Sequence, residues 1–549
     1  MDLWEEDSLR GRVLRKYARQ INSAFAMASF GAKELERDGY NPSYIIQGTT
    51  YMIIGSLYPS ENTTPAYAQI YLYDPANDDE QTRVDIRMNN LRLPSSMSQS
   101  ERDSLKALIE YFDEHLPICN NLVKDFIMCK EINEEDLGPE TRIIFHDNAV
   151  PSGEHERRYN TPNLSELCIA ASNLEYGYPP IVVRHRPVLM DNGNPNLQII
   201  NNNSSIYDRL FFVLLFPDGG RGWHPQMKCR DGNKKLTLHK YNKYMLQERA
   251  NSKYTIMKGD RLMQQYAVMS FARDQSQKLQ YHRHKVNKKR QANYRDLGQN
   301  VNNNSSSGRD HGKKVALSSS FYGSVRWYRK KNLESLAIFR QRRKPDLFIT
   351  ITCDPNHQDI LKALPKHQKP QDRPDIVARV FKQHLEELTE MLIAGVPGWE
   401  TAKALIEVVE FQKRGLPHAH ILVTLNRDHS ITEEEIDKYC VAEIPEVNNE
   451  SDYELWRQVT SKMIHGPCGE FNIKAPCCQN DNHRCEKRYP MKYQTRSYFD
   501  STGTAIYKRR SKEQGGKTAI INQRNGDNIK QTLKIDNQSM LKYVQAFRL

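Results

Sequence analysis

No run of about 18 apolar residues occurs anywhere in this chain, so the sequence offers no candidate membrane-spanning helix and no membrane partner is expected. A strand–GxxxxGK–helix phosphate loop is also missing. The one glycine-rich stretch, Gly219-Gly220-Arg221-Gly222-Trp223, lacks that form, so no nucleotide-driven motor is expected within these residues. Cysteine is sparse: ten residues in 549, only the last four of them clustered, which excludes a disulfide scaffold and reads as a reduced, intracellular protein. The opening residues, Met1-Asp2-Leu3-Trp4-Glu5-Glu6-Asp7, are acidic and do not read as a signal peptide.

What is present is positive charge and length. A formal net charge of +12 points to a polyanionic partner such as nucleic acid. At 549 residues the chain exceeds a single hydrophobic core. Composition shifts divide it into an N-terminal α+β region (1–235), a basic helical region (236–299), a linker (300–310), an α+β core (311–430), a Cys/His-rich subdomain (431–500) and a closing segment (501–549). The last of these reads as the start of an element, as expected of a truncated chain. The linker is marked by Asn300 through Arg309, rich in Asn and Ser.

Along the chain, Thr50 through Leu57 and the alternating Tyr67 through Tyr73 read as strands, residues 100–131 as a helix pair, and Ile206 through Pro217 as buried core. Residues 240–298 read as largely helical and close on Tyr281 through Arg290. There Arg283, Lys285, Lys288, Lys289 and Arg290 are candidates for phosphate contacts, the alternative being a solvated helix face. After the linker come a helix over 326–341, a strand Leu347 through Cys353 expected at the centre of a sheet, and an amphipathic helix over 374–396. Further on, Thr432 and Glu435 have the spacing of a capping box at a helix start.

The most informative stretch is Val408-Val409-Glu410-Phe411-Gln412, then Lys413-Arg414-Gly415-Leu416-Pro417, then His418-Ala419-His420-Ile421-Leu422-Val423. Two alternating runs around a short basic turn predict a β-hairpin. With a loop of 413–417, Gln412 would face His418 and Glu410 would face His420. The two-residue period puts Glu410, Gln412, His418 and His420 on one face and Val409, Phe411, Ala419, Ile421 and Val423 on the other. Two imidazoles and a carboxylate on one face suit a divalent cation with open positions for phosphate oxygens or water. Glu410 is the expected third ligand and Gln412 the runner-up; the plainer alternative is a pair of hydrogen-bonded surface histidines. Lys413 and Arg414 join the DNA-contact candidates. Strand, helix and hairpin in that order make a small α+β domain with an antiparallel sheet.

Downstream, Cys468, one of Cys477 and Cys478, and Cys485, with His465 or His483, offer four soft ligands for Zn²⁺, although the spacing is not that of C-x2-C knuckles. Reduced cysteines in a loop-rich subdomain are the alternative.

Leu347 through Pro355, together with Glu410 through Leu422, resembles the replication-initiator domain of Helitron rolling-circle transposons, commonly called the Helitron helicase-like domain. The likeness extends through Ser319 to Ser324, Ile464 to Gly469 and Cys485 to Pro490, and more weakly over the region from Ile46 to Pro217. The resemblance implies an HUH-type single-strand DNA endonuclease and strand transferase in the nucleus, with His418 and His420 binding Mg²⁺ or Mn²⁺ and a tyrosine forming a 5′-phosphotyrosyl link. It further implies single-stranded DNA as partner and a helicase region C-terminal to this domain in the full-length element. Family members carry a tyrosine pair on a helix after the cysteine region, and no such helix is recognisable here. Tyr489 and Tyr493 have a four-residue separation, but Pro490 between them opposes a continuous helix; Tyr543 lies in the closing segment. Asp354 stands where the family usually has Asn. With the nucleophile pair missing, the alternative is a catalytically inactive, transposon-derived single-stranded-DNA-binding protein.

Overall fold

The computed structural model describes residues 2–35, 44–60, 63–73, 82–129, 142–145, 168–169, 181–184, 198–230, 232, 234–249, 254, 256–282, 317–412, 415–466, 468, 472, 475–478, 484–525 and 528–543. It is a mixed helix-and-sheet protein whose sheets are small and antiparallel. Two compact units emerge, one of Met1–Trp327 with Asp354–Val380 and Gln412–Leu416, the other of Tyr328–Cys353, Phe381–Phe411 and Pro417–Leu549. The linker 300–310 lies outside the described residues.

In the first unit, β1 (Ser29–Leu35), β2 (Ile45–Ile54) and β6 (Gln198–Ile199) form one sheet; β4 (Cys168–Ile169), β3 (Arg142–Phe145) and β5 (Ile181–Arg184) form another. The helix pair expected over 100–131 is Gln99–Cys119 and Asn121–Met128. Ser98 caps the first of these in a reciprocal box with Glu101, which satisfies amides that a helix start leaves bare. The apolar stretch after Ile206 is buried as expected: Phe212, Val213, Leu215 and Phe216 join Phe25, Leu105 and Tyr266 in the core. Tyr67 through Tyr73 is not a strand. Gln69–Leu72 is a single helical turn with three consecutive buried side chains, Ile70, Tyr71 and Leu72. The Gln69 side chain accepts from the Ala66 amide at 3.0 Å, and Tyr71 donates to the Phe25 carbonyl at 2.7 Å, so local capping and a core hydrogen bond override the alternation. Arginines are also built into this core. Arg209 stacks over Phe216 and donates to Tyr241, while Arg273, on the helix Asp260–Tyr281, pairs with Asp208 at 2.8 Å.

In the second unit, β7 (Leu347–Thr352), β8 (Ala402–Phe411) and β9 (Pro417–Leu425) form an antiparallel sheet in the order β7-β9-β8. β9 is therefore the central strand and β7 an edge, reversing the expectation. The burial patterns explain it: β9 alternates with every odd position buried, whereas β7 buries only Ile349. Ala419, Ile421 and Val423 are fully buried on the back face, at about 1.5–3 kcal/mol for a large aliphatic side chain. Within residues 381–394, the buried Phe381, Leu385, Leu388 and Leu392 form the apolar stripe of a helix. Thr389 donates to Glu407 at 3.4 Å, which puts that helix on the back face. The back face is incompletely covered, since Val409 and Phe411 are exposed. Thr432 and Glu435 do form the capping box, but it opens a 3-10 turn, Glu433–Glu435, before the short helix Ile436–Tyr439. Further on, the strands β10 (Tyr498–Phe499) with β11 (Ala505–Ile506) and β12 (Ala519–Asn525) with β13 (Asn528–Ile535) form two ribbons.

Candidate functional site

Alternation along three adjacent strands assembles the front face of the β7-β9-β8 sheet. In register, Thr352 lies beside His418 and Thr350 beside His420 on one side, with Glu410 opposite His418 and Val408 opposite His420 on the other. Glu410 was expected opposite His420, so the pairing differs from the sequence expectation by one step on each strand. The cause is Pro417. The sequence pattern puts it at the end of the loop, yet it starts β9 opposite Phe411 and its carbonyl accepts from the Cys353 amide at 3.1 Å. Past the end of β8, the Gln412 amide donates to the Leu416 carbonyl at 3.0 Å and the Gly415 amide to the Gln412 carbonyl at 2.7 Å, with Gly415 at φ +78° as a turn requires. Gln412 thus falls in the turn rather than opposite a histidine, which removes the basis for its role as runner-up ligand. A two-position change in the sum of paired numbers preserves the faces, so Glu410, His418 and His420 still share one.

The two imidazoles lie 4.7 Å apart between ring centroids, and Glu410 Oε2 is 4.0 Å from His420 Nε2. Each ring is oriented from β7: Thr352 Oγ1 is 2.7 Å from His418 Nδ1 and Thr350 Oγ1 is 3.2 Å from His420 Nδ1. With Nδ1 engaged by a hydroxyl, ligation would run through Nε2, the edge that Glu410 approaches. Phe348 stacks in parallel on His420 at 5.3 Å and holds its plane. Burial, and then the neighbouring His420, push the His418 pKa below its ordinary value against the opposing pull of Glu410, favouring the neutral imidazole that a metal requires. The three side chains share one face of the sheet and are of the types that ligate divalent cations. Thr350 and Thr352 were missed in the sequence, where they read only as β-branched strand formers; their alternation beside the histidines was the available signal.

A second cluster lies downstream. His465, Cys468, Cys477 and Cys485 bring their ligand atoms within 4.8 Å of one another. Cys478 is buried beside them, its sulfur 3.9 Å from that of Cys477, and His483 lies outside the described residues. Burial pushes the Cys468 and Cys477 thiols up, and burial followed by Lys487 pushes His465 down. At Cys485 burial acts upward too, but amides of Tyr489 and Lys487 and the thiols of Cys468 and Cys477 outweigh it and lower the pKa.

The three candidate tyrosines are all engaged elsewhere. Tyr489 stacks on His465 at 4.2 Å and donates to the Met540 carbonyl at 3.3 Å. Tyr493 donates to Asp536 at 2.6 Å, a bond that raises its pKa to about 12. Tyr543 is buried and donates to the Glu443 carbonyl at 2.9 Å. Of the DNA-contact candidates, Arg283, Lys285, Lys288, Lys289, Arg290, Lys413 and Arg414 lie outside the described residues.

Residues 241–423 match the model of the Helitron helicase-like domain at N-terminus, so the chain contains a Helitron-related domain. The matched range includes Glu410, His418 and His420 and stops before the Cys/His cluster. No curated protein matches the chain.

Proposed function

We propose that this chain, through its Helitron-related domain, is the metal-binding part of an HUH-type single-strand DNA endonuclease and strand transferase acting in the nucleus. The observation that carries the reading is the convergence of His418, His420 and Glu410 on one sheet face inside the matched range. His418 and His420 would hold Mg²⁺ or Mn²⁺ through Nε2, with Glu410 as the carboxylate. The bound ion would supply charge stabilisation for a scissile phosphate. Thr350, Thr352 and Phe348 keep the imidazoles in place before the ion arrives, so less ordering is left to binding. The net charge of +12 supports a polyanionic substrate. A helicase region C-terminal to this domain in the full-length element belongs to the same reading.

The engagement of Tyr489, Tyr493 and Tyr543 by other groups favours a second reading, a catalytically inactive single-stranded-DNA-binding protein. Incubation of the chain with a labelled single-stranded or hairpin oligonucleotide and Mn²⁺ separates the two. Strand cleavage that His418→Ala with His420→Ala abolishes supports the nuclease. Binding that survives the double substitution, with no cleavage or covalent adduct from either protein, leaves the binding protein.

A further inference from the structure

We propose that His465, Cys468, Cys477 and Cys485 hold one structural Zn²⁺ in a closed tetrahedral site, and that this ion staples the segment Asn537–Leu541 into the second unit. His465 Nε2 is 3.1 Å from Cys485 Sγ and 3.5 Å from Cys477 Sγ, and no ligand pair in the set exceeds 4.8 Å. Zn–S bonds of about 2.3 Å and Zn–N bonds of about 2.0–2.1 Å on a tetrahedron require N···S edges of about 3.6 Å and S···S edges of about 3.8 Å. The side chains therefore stand at the spacing of an ion's ligand shell. All four cysteines of the region are free thiols, so no disulfide accounts for the convergence. Three thiolates and one imidazole form a soft, four-coordinate set of the kind that structural zinc sites take. Cys478 is excluded from the shell and packs instead with Ala475 and Cys485 in a small apolar cluster.

The ligands reach the ion from both sides of one stretch of chain. On one side, the His465 amide donates to the Ser539 carbonyl at 2.9 Å and the Leu541 amide to the Met463 carbonyl at 2.8 Å. On the other, the Met491 amide donates to the Gln538 carbonyl at 3.0 Å, and Tyr489, stacked on His465, donates to the Met540 carbonyl at 3.3 Å. Residues 537–541 are thus bracketed by the segments that carry His465 and Cys485. Joining those segments through one ion removes their freedom to separate, so metal binding and the order of 537–541 are linked. This inference is independent of the nuclease reading.

The test is metal analysis of the whole chain carrying His418→Ala and His420→Ala, which removes the hairpin imidazoles from the count. About one zinc per chain is expected. Adding Cys468→Ser with Cys477→Ser should remove it, while Cys478→Ser should keep it. Should the cysteine variants fail to fold, Co²⁺ exchanged into the chain with its cysteines intact should show the visible absorption of a tetrahedral thiolate site. Hydrogen exchange at residues 463–465 and 539–541 should rise together when a strong chelator is added. A chain without zinc, or with iron in its place, overturns the assignment. Exchange at 539–541 that ignores the chelator overturns the staple.

Discussion

Replacing Thr352 by Val keeps the shape of β7 and removes only the hydroxyl that lies 2.7 Å from His418 Nδ1. Loss of such an outer contact to a metal-bound histidine typically costs 10–100-fold in affinity. The lower end applies here because Thr352 is exposed and water can replace its oxygen, so Mn²⁺ affinity should fall about tenfold, or about 1.4 kcal/mol. Thr350→Val should cost less, about threefold, since its contact is longer at 3.2 Å and Phe348 continues to hold the His420 ring. Free Mn²⁺ measured by electron paramagnetic resonance during a titration gives both constants. Proton competition has a definite sign at one ligand: burial lowers the His418 pKa from its ordinary value, so as pH falls His418 takes up its proton only below that value. Thr352→Val within twofold of the parent, or a larger loss from Thr350→Val, would refute the orienting role of β7.

Glu410→Gln should weaken Mn²⁺ binding at least tenfold, whereas Gln412→Ala should leave it unchanged because Gln412 belongs to the turn; the same titration decides, and a larger effect from Gln412 would contradict the register. Tyr489→Phe keeps the stack on His465 and loses one hydrogen bond, so stability should drop by about 0.5–1.5 kcal/mol. Neither it nor Tyr493→Phe should alter Mn²⁺-dependent cleavage in the oligonucleotide assay, and loss of cleavage from either would make that tyrosine the nucleophile. Arg273→Leu strands Asp208 in the first unit's core together with the carbonyls of Asn202 and Ser204, and should cost about 3–5 kcal/mol in urea unfolding. A loss below about 1 kcal/mol would show that the ion pair is replaceable by apolar packing.

The hairpin was legible because strand alternation fixes a face whatever the register: a shift of one step on each strand changed the partner of Glu410 without moving it to the other side. The register itself was not, because Pro417 carries two opposing signals: it cannot donate to a ladder, yet its carbonyl can accept at a strand's first residue. β7 was mistaken for a central strand because Leu347 through Thr352 is uniformly β-forming, and β propensity does not say which neighbours a strand will find. The short helix Gln69–Leu72 was hidden by a seven-residue alternation that tertiary burial of Tyr71 overrode. Of the soft ligands, spacing left two choices open, His465 or His483 and Cys477 or Cys478. Among the described residues the fold brings His465 and Cys477 together with Cys468 and Cys485, through hydrogen bonds from 463–465 and 489–491 to 538–541 that no local pattern encodes.

The two ligand sets differ in hardness and closure, and that difference assigns them different work. The hairpin offers imidazole nitrogens and a carboxylate on an open face; the Glu410 side chain is 69% exposed, so a bound ion would keep positions for exchangeable oxygen ligands. The downstream set offers three sulfurs and a nitrogen within 4.8 Å of one another, which would fill a zinc shell and leave no position for substrate. A weak chelator should therefore strip the hairpin first and stop strand cleavage while the exchange protection of 539–541 persists. A strong chelator should remove both. If cleavage and protection were instead lost together at every chelator strength, the two centres would be thermodynamically coupled, and the separation of a reactive ion from a structural one would fail.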